Sequence, residues 1–183
     1  MAGISGETRW HVRRATPDDA EAIESIRIAT WRTAYRGIVQ DAILEAMTVK
    51  SEQIDDWRRG IEKTAHPVSA WFVAEQDGDI VGFVCTGPAN DEDIDKNAVA
   101  ELYAIYVLPE HSGIGVGSAL IGAARDHLTE AGFRSAVLWT LEGNARTLRF
   151  YDRHGWATDG SKQRYDKLGA DVVRYRVDFS ASR

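Results

Sequence analysis

Gly113, Gly115 and Gly117 alternate through residues 107–120, VLPEHSGIGVGSAL, and their type and spacing point to anion binding. Glycine removes the side chain that would hold a bulky anion off the backbone, and it tolerates the positive φ at which successive N–H groups converge. Upstream, AELYAIYV alternates large apolar and polar residues of strand-favouring types. Downstream, Leu120, Ala124, Leu128 and Ala131 recur at helical spacing until Gly132 supplies a stop. A strand that enters a glycine loop and then a helix offers phosphate oxygens the free N–H groups and partial positive charge of the first helical turn. Ser118 adds a hydroxyl donor. A structural strand-to-helix turn has the same composition, so the loop alone leaves both readings open.

Two familiar phosphate loops fit less well. A P-loop needs Lys and Ser/Thr directly after its last glycine, where this chain has Ser118 and Ala119. A dinucleotide fingerprint needs G-x-G-x-x-G, whereas the loop reads G-x-G-x-G; Glu142 could pose as its ribose acid, but too few residues follow for the remaining strand and helix units. Other chemistries find little support. Cys85, the single cysteine, lies in an apolar run and reads as a buried structural thiol. His11, His66, His111, His127 and His154 show no paired ligand spacing and read as scattered surface histidines, so no metal is expected. No G-x-S-x-G elbow appears.

The 183 residues fit one domain, and the net charge of −6 argues against a general nucleic-acid binder. No apolar run approaches a membrane span, and MAGISGETRW lacks the apolar core of a signal peptide, which predicts a cytoplasmic protein. A lone cysteine is consistent with a reducing compartment.

The elements that must position the loop are legible in chain order. Residues 1–7 read as a flexible tail and residues 10–14 as a short strand. Thr16-Pro17-Asp18-Asp19 predicts a helix start, with Ala22, Ile26 and Ala29 as its buried stripe continuing toward Trp31. A second helical region spans residues 41–63, divided near 48–51, with Ile54, Trp57 and Ile61 on one face. Residues 70–75 and 80–86 form a hairpin about Asp77-Gly78. The acidic PANDEDIDKN beyond it reads as a solvated connection. Residues 135–141 are apolar enough for a strand covered on both faces. Asn144 caps a helix that Gly155 ends, and Val173, Tyr175, Val177 and Phe179 keep strand spacing.

Two blocks, in this order, carry a resemblance. The first, ELYAIYVLPEHSGIGVGSAL, is similar to the acyl-CoA signature Q/R-x-x-G-x-G/A of the GNAT superfamily of N-acetyltransferases. The second, NARTLRFYDRHGW, is similar to that family's N-x-x-A-x-x-F-Y-x-x-x-G-F, with Thr147 for Ala and Trp156 for Phe. Together with the opening RRATPDDAEAI, they cover most of the chain.

The resemblance implies a single domain over residues 1–183, α/β, with a mixed, mostly antiparallel central sheet flanked by helices and a V-shaped acetyl-CoA cleft between the central strands. It implies direct acetyl transfer from acetyl-CoA to an amine without a covalent intermediate. The contrasting reading is a catalytically silent acyl-CoA sensor. A primary amine with pKa near 10.4 is only about 0.1% neutral at physiological pH, so a base helps, and Glu101 stands where several family members carry a catalytic glutamate. Tyr151 matches the tyrosine that protonates or hydrogen-bonds the departing sulfur.

The backbone of Ile105, Tyr106 and Val107 is expected to meet the pantetheine amides, and Asn144 its arm. Ser112, Gly113, Ile114, Gly115, Val116, Gly117 and Ser118 are expected at the diphosphate. Ser112 replaces the family's usual Gln or Arg, so the contact implied there falls to backbone. Trp31, Tyr35 and Trp57 are candidate acceptor contacts, or simply helix packing. Dimers are frequent in the family, so a homodimer is compatible with the resemblance.

Overall fold

The computed structural model describes residues 10–63 and 68–179; the tail expected at residues 1–7 lies outside them. Among the described residues seven strands form one sheet: β1 (Trp10–Arg14), β2 (Ala70–Gln76), β3 (Asp79–Pro88), β4 (Val99–Val107), β5 (Ser135–Leu141), β6 (Ala157–Tyr165) and β7 (Ala170–Asp178). Their spatial order is β1-β2-β3-β4-β5-β7-β6, antiparallel throughout except for the parallel pair β4–β5. Five α-helices accompany them among the described residues: α1 (Ala20–Ala34), α2 (Asp41–Glu45), α3 (Ser51–Glu62), α4 (Val116–Glu130) and α5 (Ala145–Arg153).

The sheet divides the interior. On one face Val116, Leu120, Ala124 and Leu128 of α4 pack with Val84, Leu102 and Leu138, and on the other Ile23 and Ile26 of α1 and Ile61 of α3 pack with Val73 and Phe83. Thr16 and Asp19 form a capping box, but the turn they close is a short 3-10 helix over Pro17–Asp19, and α1 proper begins at Ala20. Its buried positions are Ala20, Ile23, Glu24, Ile26 and Ile28, while Ala22 and Ala29 of the expected stripe are only half-buried. The polar Glu24 had masked the true face. Its carboxylate is buried because Arg27 donates to both of its oxygens and Trp57 Nε1 adds a third bond of 2.9 Å.

The expected hairpin turn holds, with Asp77 at φ 53° and Gly78 at φ 93°. β6 was not foreseen: ATDGSKQRY has neither apolar alternation nor β-branched density, and it forms a solvated edge strand whose order comes from pairing with β7.

Two irregularities in β4 shape its surroundings. Between the pairs Cys85↔Ala104 and Thr86↔Leu102 the register slips by one residue, leaving Tyr103 as a bulge. The slip changes the alternation, so that Leu102, Ile105 and Val107 meet the α4 side while Ala104 and Tyr106 meet the α1 and α3 side. By the same alternation Glu101 shares a side with Ala104 and Tyr106. Secondly, β4 and β5 pair only over Val99↔Ser135, Ala100↔Ala136 and Glu101↔Val137, and the ladder then stops.

Candidate functional site

Beyond the last β4–β5 pair lies a cavity of about 550 Å³. It is lined by the end of α1, by β4 from Leu102 to Val107, by the glycine loop, by Trp139 and Thr140 of β5, and by one face of α5. Val107 O accepts from Thr30 Oγ1 at 3.2 Å, so one of the three β4 residues expected to offer backbone already holds α1.

The glycine loop meets the cavity through Ser112, Gly113, Gly115, Gly117 and Ser118. Gly113 and Gly115 have φ of 85° and 102°, conformations that cost any L side chain strain. The first intrahelical bond of α4 runs from Ala119 N to Gly115 O, so the N–H groups of Val116, Gly117 and Ser118 belong to the unpaired first turn. The side chains of Ile114 and Val116 do not line the cavity: Ile114 is exposed, and Val116 is fully buried in the α4 core. The role expected of them is thereby left to their main chains.

α5 supplies the facing wall. Asn144 Oδ1 accepts from Thr147 N at 3.2 Å, the expected cap, while Nδ2 has no partner among the described residues and the buried residue lines the cavity. Tyr151 is held among Phe150, Trp156 and Tyr175, and its hydroxyl makes no hydrogen bond to the described residues. Burial, reinforced by nearby Tyr106, raises its pKa, so the phenol keeps its proton. Tyr106 and Tyr35, also on the cavity wall, are raised as well, chiefly by burial.

His154, expected as a scattered surface histidine, instead is part of this wall. Its Nδ1 lies 2.7 Å from Phe150 O, which can only accept, so Nδ1 carries the proton and Nε2 accepts from Ser118 Oγ at 3.0 Å. That bond ties α5 to the first turn of α4. Arg146 and Arg153 also line the cavity and form no ion pair among the described residues. Their helical spacing with Phe150, at 146, 150 and 153, was a signal available in the sequence. Of the aromatic acceptor candidates, Tyr35 lines the cavity, whereas Trp57 is spent on Glu24 and Trp31 packs edge-on against Tyr35.

Glu101 is not itself in the lining, although its successors Leu102 and Tyr103 are. It sits on the last rung before the strands part, half-buried, and its Oε2 accepts from Asn90 N at 3.1 Å and Asn90 Nδ2 at 3.4 Å. Burial raises its pKa; the Asn90 backbone N–H opposes this and Asp91 adds to it. Asn90 belongs to the acidic connection, which is anchored rather than merely solvated. Asp91 accepts from Trp139 Nε1, and Asp91 and Asp93 both bind Arg174 of β7. Spacing could not show this, because Arg174 lies 83 residues from Asp91. Cys85 is buried with its thiol pushed up to about 12, which leaves almost no thiolate at neutral pH.

Known proteins resemble the chain in sequence and in fold. The sequence profile of the acetyltransferase (GNAT) family matches residues 28–156. An uncharacterized N-acetyltransferase, YuaI of Bacillus subtilis, is 31% identical over 144 residues, covering 78% of each chain. Among solved structures, PaiA N-acetyltransferase from Thermoplasma acidophilum in complex with coenzyme A aligns over 92% of this chain and 98% of its own, with a TM-score of 0.76 at 19% identity. The Salmonella typhimurium protein yncA with its cofactor acetyl-CoA aligns over 96% of both chains, with a TM-score of 0.73 at 21% identity. At those identities the structures establish the shared fold.

Proposed function

This chain belongs to the acetyltransferase (GNAT) family, and on that premise we propose that it moves an acetyl group from acetyl-CoA directly to an amine, without a covalent enzyme intermediate. The observation that carries the reading is the parting of β4 from β5 beside the glycine loop, with Tyr151 on the facing wall of the same cavity. The complexes of PaiA with coenzyme A and of yncA with acetyl-CoA support the choice of donor.

The residues fit that donor. The unpaired N–H groups of the α4 first turn, with Gly113 and Gly115 keeping side chains away, suit a diphosphate, and Arg146 and Arg153 add positive charge near it. The free Nδ2 of Asn144 and the unpaired edge of β4 suit the pantetheine amides. The bound thioester supplies an activated carbonyl carbon. Glu101, with its raised pKa, takes the amine proton through an intervening water, because its carboxylate is held by Asn90 one residue outside the lining. The neutral amine nitrogen then forms the C–N bond as the C–S bond breaks, giving up its remaining surplus proton to water while CoA leaves as the thiolate. Tyr151, protonated and without a competing partner among the described residues, donates to the departing sulfur. A thiol acyl-enzyme at Cys85 is disfavoured by its burial and by its pKa of about 12.

The test is amine-dependent release of the CoA thiol from acetyl-CoA across a broad panel of primary amines. Release that rises with amine concentration for at least one member is expected. Tight CoA binding with no amine-dependent release from any member would replace this reading with that of a silent acyl-CoA-binding module.

A further inference from the structure

Outside the cavity lining, Arg174 of the described molecule makes four hydrogen bonds to three carboxylates. It is 6% exposed. Its Nε donates to Asp159 of β6 at 2.6 Å, Nη1 to Asp91 at 3.0 Å and to Asp93 at 2.7 Å, and Nη2 to Asp93 at 2.7 Å. The guanidinium also lies over the Trp139 ring, 5.6 Å from its centroid. One planar fork thus joins β6, β7 and the 89–98 connection, a geometry that a point charge cannot reproduce.

The connection has its own purchase on the site. Asn90, directly before Asp91, gives Glu101 two hydrogen bonds and offers Nδ2 to the Tyr103 hydroxyl at 3.3 Å. Asp91 takes the indole N–H of Trp139, which lines the cavity. We propose that Arg174 is a positioning residue for the transfer reaction: by fastening Asp91 and Asp93 to the β6–β7 hairpin it holds Asn90 against Glu101 and Trp139 against the cavity. This inference rests on Glu101 being the base.

The groups facing Glu101 are Asn90 and Asp91 of the connection, Tyr103 of its own strand, Cys85 of β3 and Arg174 of β7. Asn90 and Arg174 both favour the ionised carboxylate, while burial and Asp91 disfavour it. Releasing the connection removes the Asn90 bonds, Asp91 and part of the burial together, so the Glu101 midpoint moves away from its wild-type position. The acid limb of kcat/KM moves with it.

Three variants separate positioning from charge: Arg174→Met, Arg174→Lys, and Asp93→Ala, the last removing two of the four guanidinium bonds at a largely exposed residue. Two readouts need no turnover: hydrogen exchange of the Asn90 amide, and a carbon-13 titration of the Glu101 carboxyl, assigned by its loss in Glu101→Gln. We expect faster Asn90 exchange and a displaced Glu101 midpoint in Arg174→Met and Arg174→Lys, with a smaller displacement in Asp93→Ala. kcat/KM should fall by up to roughly 100-fold at neutral pH, the scale of an ångström misplacement.

If Arg174→Lys restores both readouts to wild type, charge alone suffices and the positioning role is wrong. Unchanged readouts in both Arg174→Lys and Asp93→Ala also overturn it, whether or not Arg174→Met folds. If Glu101→Gln keeps full turnover, the base assignment fails instead, and the exchange and titration results still decide whether Arg174 sets the surroundings of Glu101.

Discussion

The cavity has two flanks built from different materials. The flank at the first turn of α4 is main chain: two glycines at positive φ, unpaired N–H groups, and side chains at 114 and 116 turned to solvent and to the core. The flank at Glu101 is a relay of side chains, in which Arg174 holds Asp91 and Asp93, Asn90 sits beside them, and Glu101 receives its two bonds. A main-chain surface carries little titratable charge, so it is insensitive to pH but intolerant of any added atom. A side-chain relay has the opposite sensitivities. Perturbations at the two flanks should therefore fail in different ways, one in cofactor affinity and one in the pH dependence of turnover.

The largest effect should come from Glu101→Gln, which keeps the shape and removes the proton acceptor. General acid–base groups typically contribute about 100 to 10,000-fold, and turnover should fall on that scale while the affinity for CoA holds. The sign of the pH dependence comes from burial, which raises the Glu101 pKa. A base works only when deprotonated, so wild-type kcat/KM falls as pH drops through that raised midpoint, and this acid limb should vanish in the variant. The loss should also shrink as pH rises toward the amine pKa of about 10.4, where free amine needs no base. Full turnover by the variant at neutral pH with a defined amine would remove Glu101 from the mechanism and reduce its flank to scaffolding.

The two flanks also differed in how far the sequence revealed them. Three glycines two residues apart between an alternating run and a helical run are local signals, and the structure places them at a strand-to-helix junction as expected. The cap at Asn144 and the left-handed Gly155 are local in the same way. The relay is not local, because Arg174 binds partners 81 and 83 residues earlier in the chain, and no spacing rule reaches that far. β6 was hidden for a related reason: its order comes from its neighbour rather than from its own residues. The register slip at Tyr103, which sets the facing of Glu101, depends on which strands pair and has no signature within AELYAIYV. His154 was misread because its role lies in a contact 36 residues away, with Ser118.

A smaller loss is expected from Tyr151→Phe, which removes one hydroxyl and keeps the ring among Phe150, Trp156 and Tyr175. Since burial raises the tyrosine pKa, the donor stays protonated across the neutral range, and the loss should not change with pH there. This flat response is the counterpart of the steep one at Glu101. Its size should lie toward the low end of the 100 to 10,000-fold range, about 100-fold, because a hydrogen bond to sulfur assists departure without full proton transfer. An acyl donor with a more acidic thiol should narrow the gap between variant and wild type. An equal loss with both donors would place Tyr151 in packing and not at the leaving group.

The mildest perturbation sharpens the contrast at the main-chain flank. Gly117 has no positive φ, so alanine there is unstrained and gains roughly 0.8–1 kcal/mol of helix propensity. Its new Cβ, however, would stand 3.2 Å from Phe150 Cε2 and 3.3 Å from Cζ, so the ring must give by a few tenths of an ångström. The Phe150 ring lies tilted against His154, centroids 4.4 Å apart, and meets Tyr151 at 5.5 Å, and all three line the cavity. The displacement thus reaches the His154–Ser118 bond at the first turn of α4. Unliganded stability should stay within about 1 kcal/mol of wild type, the propensity gain offsetting the tighter contact. CoA affinity should weaken by roughly tenfold, or about 1.4 kcal/mol. At a CoA concentration about 100 times the wild-type Kd, ligand-induced stabilisation should then drop from about 2.7 to about 1.4 kcal/mol in thermal or denaturant unfolding. The acid limb of kcat/KM, which the proposed mechanism assigns to Glu101, should not move. A variant that keeps the full CoA stabilisation while its acid limb shifts would show that the two flanks are not separable, and the division between main-chain affinity and side-chain proton transfer would have to be abandoned.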